Sequence, residues 1–440
     1  MKARYKIVSI MVCAVMFALP LTACGRGASA GESALLGEPK AVEAIEYSAL
    51  EADDYLFLKK GVEAFAADFA AYSYSVYNGQ DNFAVSPISV YMALALSAEC
   101  TAGNTRREIL DALGVTYQQL ETQFPTLYRS LAVEHKRNDK TVGLLDITNS
   151  VWIDSSADVK RSCIESLSEN YYAYSYSADF KYNTEKANSD IRDFVKKQTK
   201  GLIDKDFLLS DETLFTLINT LYLKTIWRDD GSDLPFASDS YDFTAKDGSV
   251  KNVLLLQGFY NSGRTAEFDT FTTFYTTTYS GYKIKFILPK DGHTIDSVFS
   301  TENIASVNSI EDYGSYDESM SVHYMTRVLF PEYKCKYDDN ITEILQDKFG
   351  IDLFFRASEC DLSALTDTPS HCDTVMHVTD LTVDRKGIEG AAATAEALAG
   401  TSAPSEIIII KEDFIVDRAF GFIITDRQDV TLFSGVVSNI

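Results

Sequence analysis

Apolar residues recur at helical spacing over residues 55–74, which predicts a first amphipathic helix there. The apolar run 90–98 follows Ser86 and Pro87, an N-cap and first-turn pair, and predicts a second, buried helix. Gly103-Asn104-Thr105 breaks that run, and Thr105 with Glu108 has the spacing of a capping box for a third helix. Residues 146–153 read as strand, 164–174 as helix and 175–180 as strand. The stretch 186–200 is amphipathic and stops at Gly201. A long apolar strand is expected over 214–227, with Asn219 and Lys224 embedded in it. Residues 241–289 are β-rich, 321–337 form another strand region, and 341–349 a short helix closed by Gly350. Strand-like patterns return at 378–383, 407–410, 414–425 and 430–437. No internal repeat or linker divides residues 55–440, so the expectation is one α+β domain, helix-rich first and strand-rich later.

One stretch breaks the pattern. Residues 389–399 read Glu-Gly-Ala-Ala-Ala-Thr-Ala-Glu-Ala-Leu-Ala and carry almost no side-chain bulk. Such a run cannot hold a core position by burial, because Ala and Gly offer little apolar area. A surface helix or a flexible linker is the ordinary reading. The strands on either side favour a third: a loop of small residues able to slide into a crowded sheet.

Composition narrows the class. The chain has 440 residues, 46% of them hydrophobic, enough for a sizeable core. Its formal net charge of -24 argues against nucleic acid and anionic membrane surfaces as partners. The N-terminus reads as a targeting segment. Lys2, Arg4 and Lys6 precede an apolar stretch 7–21 that is short for a membrane span, and Leu21-Thr22-Ala23-Cys24 is similar to a bacterial lipobox. The expected organisation is therefore a lipoprotein signal peptide over 1–23, a tether over 24–54 and a folded domain over 55–440. Lipid on Cys24 would anchor the body outside the cytoplasm, as a bacterial cell-surface lipoprotein. Beyond Cys13 and Cys24, five scattered cysteines do not form a disulfide framework, although Cys360 and Cys372 could pair.

Enzyme chemistry is not legible. There is no Gly-x-Ser-x-Gly elbow, no phosphate-cradling glycine loop and no His-Glu-x-x-His. His371, Cys372 and His377 lie close together but not at a standard zinc spacing, so no metal and no cofactor is expected. A surface hydrolase is the reading this disfavours.

A family resemblance joins these pieces in order along the whole body of the chain. Its motifs are Asn82-x-x-x-Ser86-Pro87-x-Ser89, Gly103-Asn104-Thr105, Asn149-Ser150-Val151-Trp152 and Phe194-Val195 with Thr199-x-Gly201. They continue with Leu217-Ile218-Asn219-Thr220-Leu221-Tyr222-Leu223-Lys224 and Trp227, then Leu288-Pro289, Phe330-Pro331, Gly350-Ile351 and Asp417-Arg418-x-Phe420-x-Phe422. This series resembles the serpins. The resemblance implies three β-sheets, about eight or nine helices and an exposed reactive-centre loop. It implies a serine protease inhibitor, without catalytic residues of its own and expected to be monomeric. Such an inhibitor acts by suicide cleavage, insertion of the cut loop into the central sheet and covalent trapping of the protease.

Site residues follow from the same resemblance. The loop hinge falls on Gly387, Ile388, Glu389, Gly390, Ala391, Ala392 and Ala393, and family spacing puts the reactive bond between Thr401 and Ser402. Leu398, Ala399 and Ala403 remain candidates for the cut. None is basic, which suits an elastase-like or subtilisin-like target. Ser86, Ser89, Asn219 and His377 match a hydrogen-bonded cluster where the central strands part. Trp227, Glu332 and Arg385 match the point where the sheet first opens, with Arg385 expected to face Glu332 as a charge-reversed pair. On the inserted strand Ile388 and the residues alternating with it would face the core. Ile388 and Gly390 depart from the family's usual Thr or Ser and Ala. Two other readings stay open: a non-inhibitory serpin-fold binding protein, and a cross-class inhibitor of cysteine proteases.

Overall fold

In the computed structural model, residues 33–43, 45, 47–77, 79, 81–137, 140–228, 232–261, 263–310, 322–389 and 407–440 are described. Among them an eight-stranded sheet dominates. Its strands run in the order Ala34–Gly37, Ala173–Ala178, Lys140–Asp154, Phe215–Ile226, Gly387–Glu389, Met376–Val383 and Tyr333–Asn340, with Val133–Arg137 paired to the long third strand. A six-stranded sheet carries the C-terminal hairpin Phe420–Thr425 and Thr431–Val437 beside Phe83–Val85. A four-stranded sheet is formed by Ile407–Ile415, Val322–Phe330, Val250–Asn261 and Phe236–Thr244. Among the described residues ten α-helices accompany the sheets, two of them single turns of four residues.

The helix Pro87–Cys100 is buried along nearly its whole length, which is why its sequence shows an apolar run rather than a stripe. Beside it lies the longer helix Asp53–Val76, whose buried face presents Leu58, Phe65 and Phe69. Helix Phe180–Gln198 packs separately, over the outer face of the large sheet, on Trp152. No described helix is long and apolar enough to cross a membrane.

Several local expectations are corrected. Thr105 and Glu108 do not form a capping box: the Thr105 hydroxyl accepts from the Asp361 N–H, and the Glu108 carboxylate accepts from the Asp352 and Leu353 N–H groups. Both side chains are recruited by a distant segment whose own backbone donors need partners. Ser86 stands at the N-cap position, yet its side chain makes no cap bond. The helix expected over 164–174 ends at Asn170, and Tyr172 has a φ of 50°, so the chain turns sharply into the strand at Ala173. The strand region 321–337 is two strands in two different sheets, divided at Pro331, which has no N–H to continue a ladder. Within the segment read as a tether, Ala34–Gly37 is a strand on the edge of the large sheet, and Ser33 bonds the Asp190 carboxylate through both its N–H and its hydroxyl. Its four residues, Ala-Leu-Leu-Gly, carry no alternation by which a sequence pattern marks a strand. Cys360 and Cys372 are unpaired, as are Cys100, Cys163 and Cys335.

Candidate functional site: a gap in the central sheet closed by the loop hinge

The strands Phe215–Ile226 and Met376–Val383 are not paired with each other. At one end of the space between them sits a three-residue strand, Gly387–Glu389. It pairs antiparallel with Thr382 and Val383 on one side and with Lys224, Thr225 and Ile226 on the other. The preceding residues turn back tightly: the Asp384 N–H donates to the Gly387 carbonyl, and the Asp384 carboxylate accepts from the Lys386 and Gly387 N–H groups. Gly387 is required by proximity, since a Cβ there would lie 1.8 Å from the Thr225 carbonyl oxygen. Ile388 is fully buried and joins the main core. Glu389 points to the opposite face, where its carboxylate lies 3.4 Å from Lys224 Nζ. Burial pushes that carboxyl above its ordinary range, against the pull of Lys224.

Beyond Glu389 the two long strands leave a cleft. Asn219, Thr220, His377 and Val378 line it from the sheet, and Ile203 and Phe207 cover it from the segment after helix Phe180–Gln198. At its base the Ser86 N–H donates to His377 Nε2 at 3.0 Å, and the Ser86 hydroxyl donates to the Leu432 carbonyl at 2.8 Å and lies 2.9 Å from Ser89 Oγ. Since Nε2 accepts, His377 is neutral and carries its proton on Nδ1. Complete burial, with the rings of Phe69 and Tyr337 against it, pushes its pKa down to about 3.

Asn219 lines the same cleft but bonds elsewhere. Its amide donates to Asn149 Oδ1 at 2.6 Å, and Asn149 in turn donates to the Tyr171 carbonyl. The two asparagines are register partners on adjacent strands, which fixes that direction. The Asn219 carbonyl oxygen is buried without a donor.

At the closed end, Trp227 Nε1–H donates to the Asp384 carbonyl at 2.6 Å, and the Trp227 and Leu234 N–H groups donate to the carbonyls of Lys386 and Arg385. Arg385 and Glu332 do meet, but through the main chain: the Glu332 carboxylate accepts from the Arg385 N–H at 2.9 Å. The guanidinium pairs instead with Asp233 at 2.8 Å and lies over the Phe236 ring. The expected side-chain pair of Arg385 with Glu332 is therefore corrected, because a nearer carboxylate arrives from the segment after Trp227.

The serpin (serine protease inhibitor) family model matches residues 61–440. This chain belongs to the serpin family. It is 26% identical over 381 residues to serine protease inhibitor A3M of Mus musculus, covering 84% of this chain and 87% of that one. It is 28% identical over 382 residues to serpin-ZXA of Oryza sativa subsp. japonica, covering 81% and 90%. The crystal structure of the thermophilic serpin tengpin in its native state shares the fold, with a TM-score of 0.70 and 21% identity over 93% of this chain and all of that one.

Within this serpin fold the polar residues singled out by sequence fall into two hydrogen-bonded groups, Ser86 with Ser89 and His377, and Asn219 with Asn149. Sequence reasoning missed Asp233, which lies in no motif, and the partner role of Asn149, although its motif had been noted. Gly390, Ala391, Ala392, Ala393, Thr401, Ser402 and Cys24 lie outside the described residues.

Proposed function

We propose that this serpin inhibits serine proteases by suicide cleavage and loop insertion. The observation that carries this reading is the hinge strand Gly387–Glu389, paired on both sides, with a cleft farther along the same two strands, at residues 216–220 and 374–378, that no described residue fills. The facing edges of the two long strands offer backbone donors and acceptors to an arriving strand, and Asn219 Oδ1 offers one more acceptor. Filling the cleft extends the ladder by strand addition, so the uncut state is held above a more stable one by a kinetic barrier. The target's serine attacks the loop between Thr401 and Ser402 and forms an acyl-enzyme, and insertion carries the protease away before water completes the reaction. The small residues at the candidate cut, none of them basic, suit an elastase-like or subtilisin-like pocket. Lipid on Cys24 would hold the inhibitor at the outer surface of a bacterial cell.

The test is incubation with elastase-like, subtilisin-like and trypsin-like proteases, followed by denaturing electrophoresis and mass spectrometry of the released peptide. A stable covalent complex with a cut after Thr401 is expected. Clean cleavage of the loop without a complex and without a rise in thermal stability would replace this reading by a non-inhibitory binding protein.

A further inference from the structure

Residues 199–214 join helix Phe180–Gln198 to the strand Phe215–Ile226, and Ile203, Phe207 and Leu209 of this segment line the insertion cleft. The helix is ended by Lys200 and Gly201, whose φ angles are 52° and 90°. The segment is then stapled back to the helix it leaves. Asp204 accepts from Arg192 at 2.7 Å and from Lys196 at 2.6 Å. The Asn188 side chain exchanges two hydrogen bonds with the Leu209 backbone, at 3.0 and 3.1 Å. Helix and segment therefore form one body.

Apolar packing assigns that body to one half of the large sheet. Ile203 and Phe207 cluster with Trp152, Tyr174 and Ile218, which lie on three strands on the same side of the cleft. Lys200 adds an ion pair to this half, 2.9 Å from Asp146 on the strand Lys140–Asp154. Lys205 reaches the other way. Its ammonium pairs with Asp338 on the strand Tyr333–Asn340, beyond Met376–Val383 and so on the far side of the cleft. Asp338 is the register partner of Val378, which lines the cleft. The Lys205 side chain is only 25% exposed, and its Nζ lies 5.6 Å from the centre of the Phe207 ring, so carboxylate and ring hold the ammonium together.

A strand entering the cleft spaces the two halves apart. Adjacent strands stand about 4.8 Å from one another, so an added strand moves Asp338 away from Asp146 by roughly that distance. The body that bears Lys205 stays with the Asp146 half through its apolar contacts, and a hydrogen-bonded ion pair is lost at such a separation. Resting on the insertion reading above, we propose that Lys205 and Asp338 are positioning residues for that step. They clasp the two halves of the sheet and set how fast the cleft opens to an incoming strand. The pair is made in the closed sheet and broken in the open one, so it favours the closed state alone.

The experiment adds a fluorescent synthetic peptide of residues 390–402 to the full, uncut chain, without protease. Fluorescence anisotropy follows the rate at which the peptide anneals into the sheet. The variants are K205E, D338K and K205E/D338K. The control is D367N, whose exposed ion pair with Lys160 lies outside the three sheets. Each single variant turns attraction into repulsion and is expected to anneal about three- to tenfold faster than the parent, with the double variant within about twofold of it. D367N should match the parent. The peptide carries Glu396 and no base, so diffuse charge steering alone would slow K205E and quicken D338K, whereas the clasp quickens both. Equal rates throughout, a slowed K205E, or a double variant no closer to the parent than the single ones would overturn the clasp and leave insertion standing. Failure of the peptide to anneal to any of the proteins would overturn the insertion reading, and the clasp with it.

Discussion

The α-carbon of Gly387 lies so close under the carbonyl of Thr225 that a Cβ would approach its oxygen to 1.8 Å. Backbone cannot yield as a side-chain tip can, so Gly387→Ala should push the hinge strand out of register with Lys224, Thr225 and Ile226. Overpacking of this kind costs about 1–3 kcal/mol. The variant should melt several degrees lower and polymerise faster on mild heating. An unchanged melting temperature together with unchanged polymerisation would refute the close approach.

At the closed end, the pair to probe is Arg385 with Asp233. Arg385→Glu replaces an attraction by repulsion from both Asp233 and Glu332, while the Arg385 N–H can still donate. Both partners are more than a third exposed, at 45% and 36%, so the expected loss is only about 0.2–1 kcal/mol. Adding Asp233→Lys should recover most of it, and adding Glu332→Lys should recover less. A double-mutant cycle on unfolding midpoint decides between them. Strict additivity for Arg385 and Asp233 would contradict the pairing described.

His377 predicts an acid sensitivity. Burial pushes its pKa down to about 3 in the fold, from the ordinary imidazole value of 6.5. Between those values the unfolded chain binds a proton that the folded chain does not. The contribution of His377 is therefore fully present above about pH 6.5 and lost as pH falls, at up to about 1.4 kcal/mol per pH unit. Asp426 acts in the opposite sense: burial pushes its carboxyl from 3.8 up to about 7, so its contribution is fully present below about pH 3.8 and is lost as pH rises to about 7. Comparing the parent with His377→Gln isolates the histidine. The variant should be less stable at pH 7.5 but lose less between pH 6.5 and 5, a difference of about 2 kcal/mol. Parallel curves would mean that His377 does not set the acid limb.

The proposed insertion makes a further demand on the loop. Counting alternately from the buried Ile388 puts Ala392 on the core-facing side of an extended strand. Ala392→Arg would require a guanidinium to be desolvated on insertion, at a cost of several kcal/mol unless it is paired. The variant should fold and melt like the parent but be cleaved as a substrate, with little covalent complex on a gel. Complex formation at the parent's level would be incompatible with insertion along this register.

Much of the fold was legible in the sequence because its strands and helices obey simple periods. The strand Phe215–Ile226, the helix stop at Gly350 and the C-terminal strands follow from alternation, spacing and a glycine at the end of a helix. Alternation grouped Ile388 with its neighbours on one face, and only the serpin resemblance implied that this face turns inward. Partner choice was settled only in three dimensions. Thr105 and Glu108 had the local spacing of a cap, yet a segment some 250 residues away took both side chains. The guanidinium of Arg385 went to Asp233 rather than Glu332, and Asn219 turned to Asn149 rather than to His377. Sequence period reports which way a side chain faces. It does not report which polar group stands opposite, because that depends on how distant strands and turns are brought into register by packing of the core.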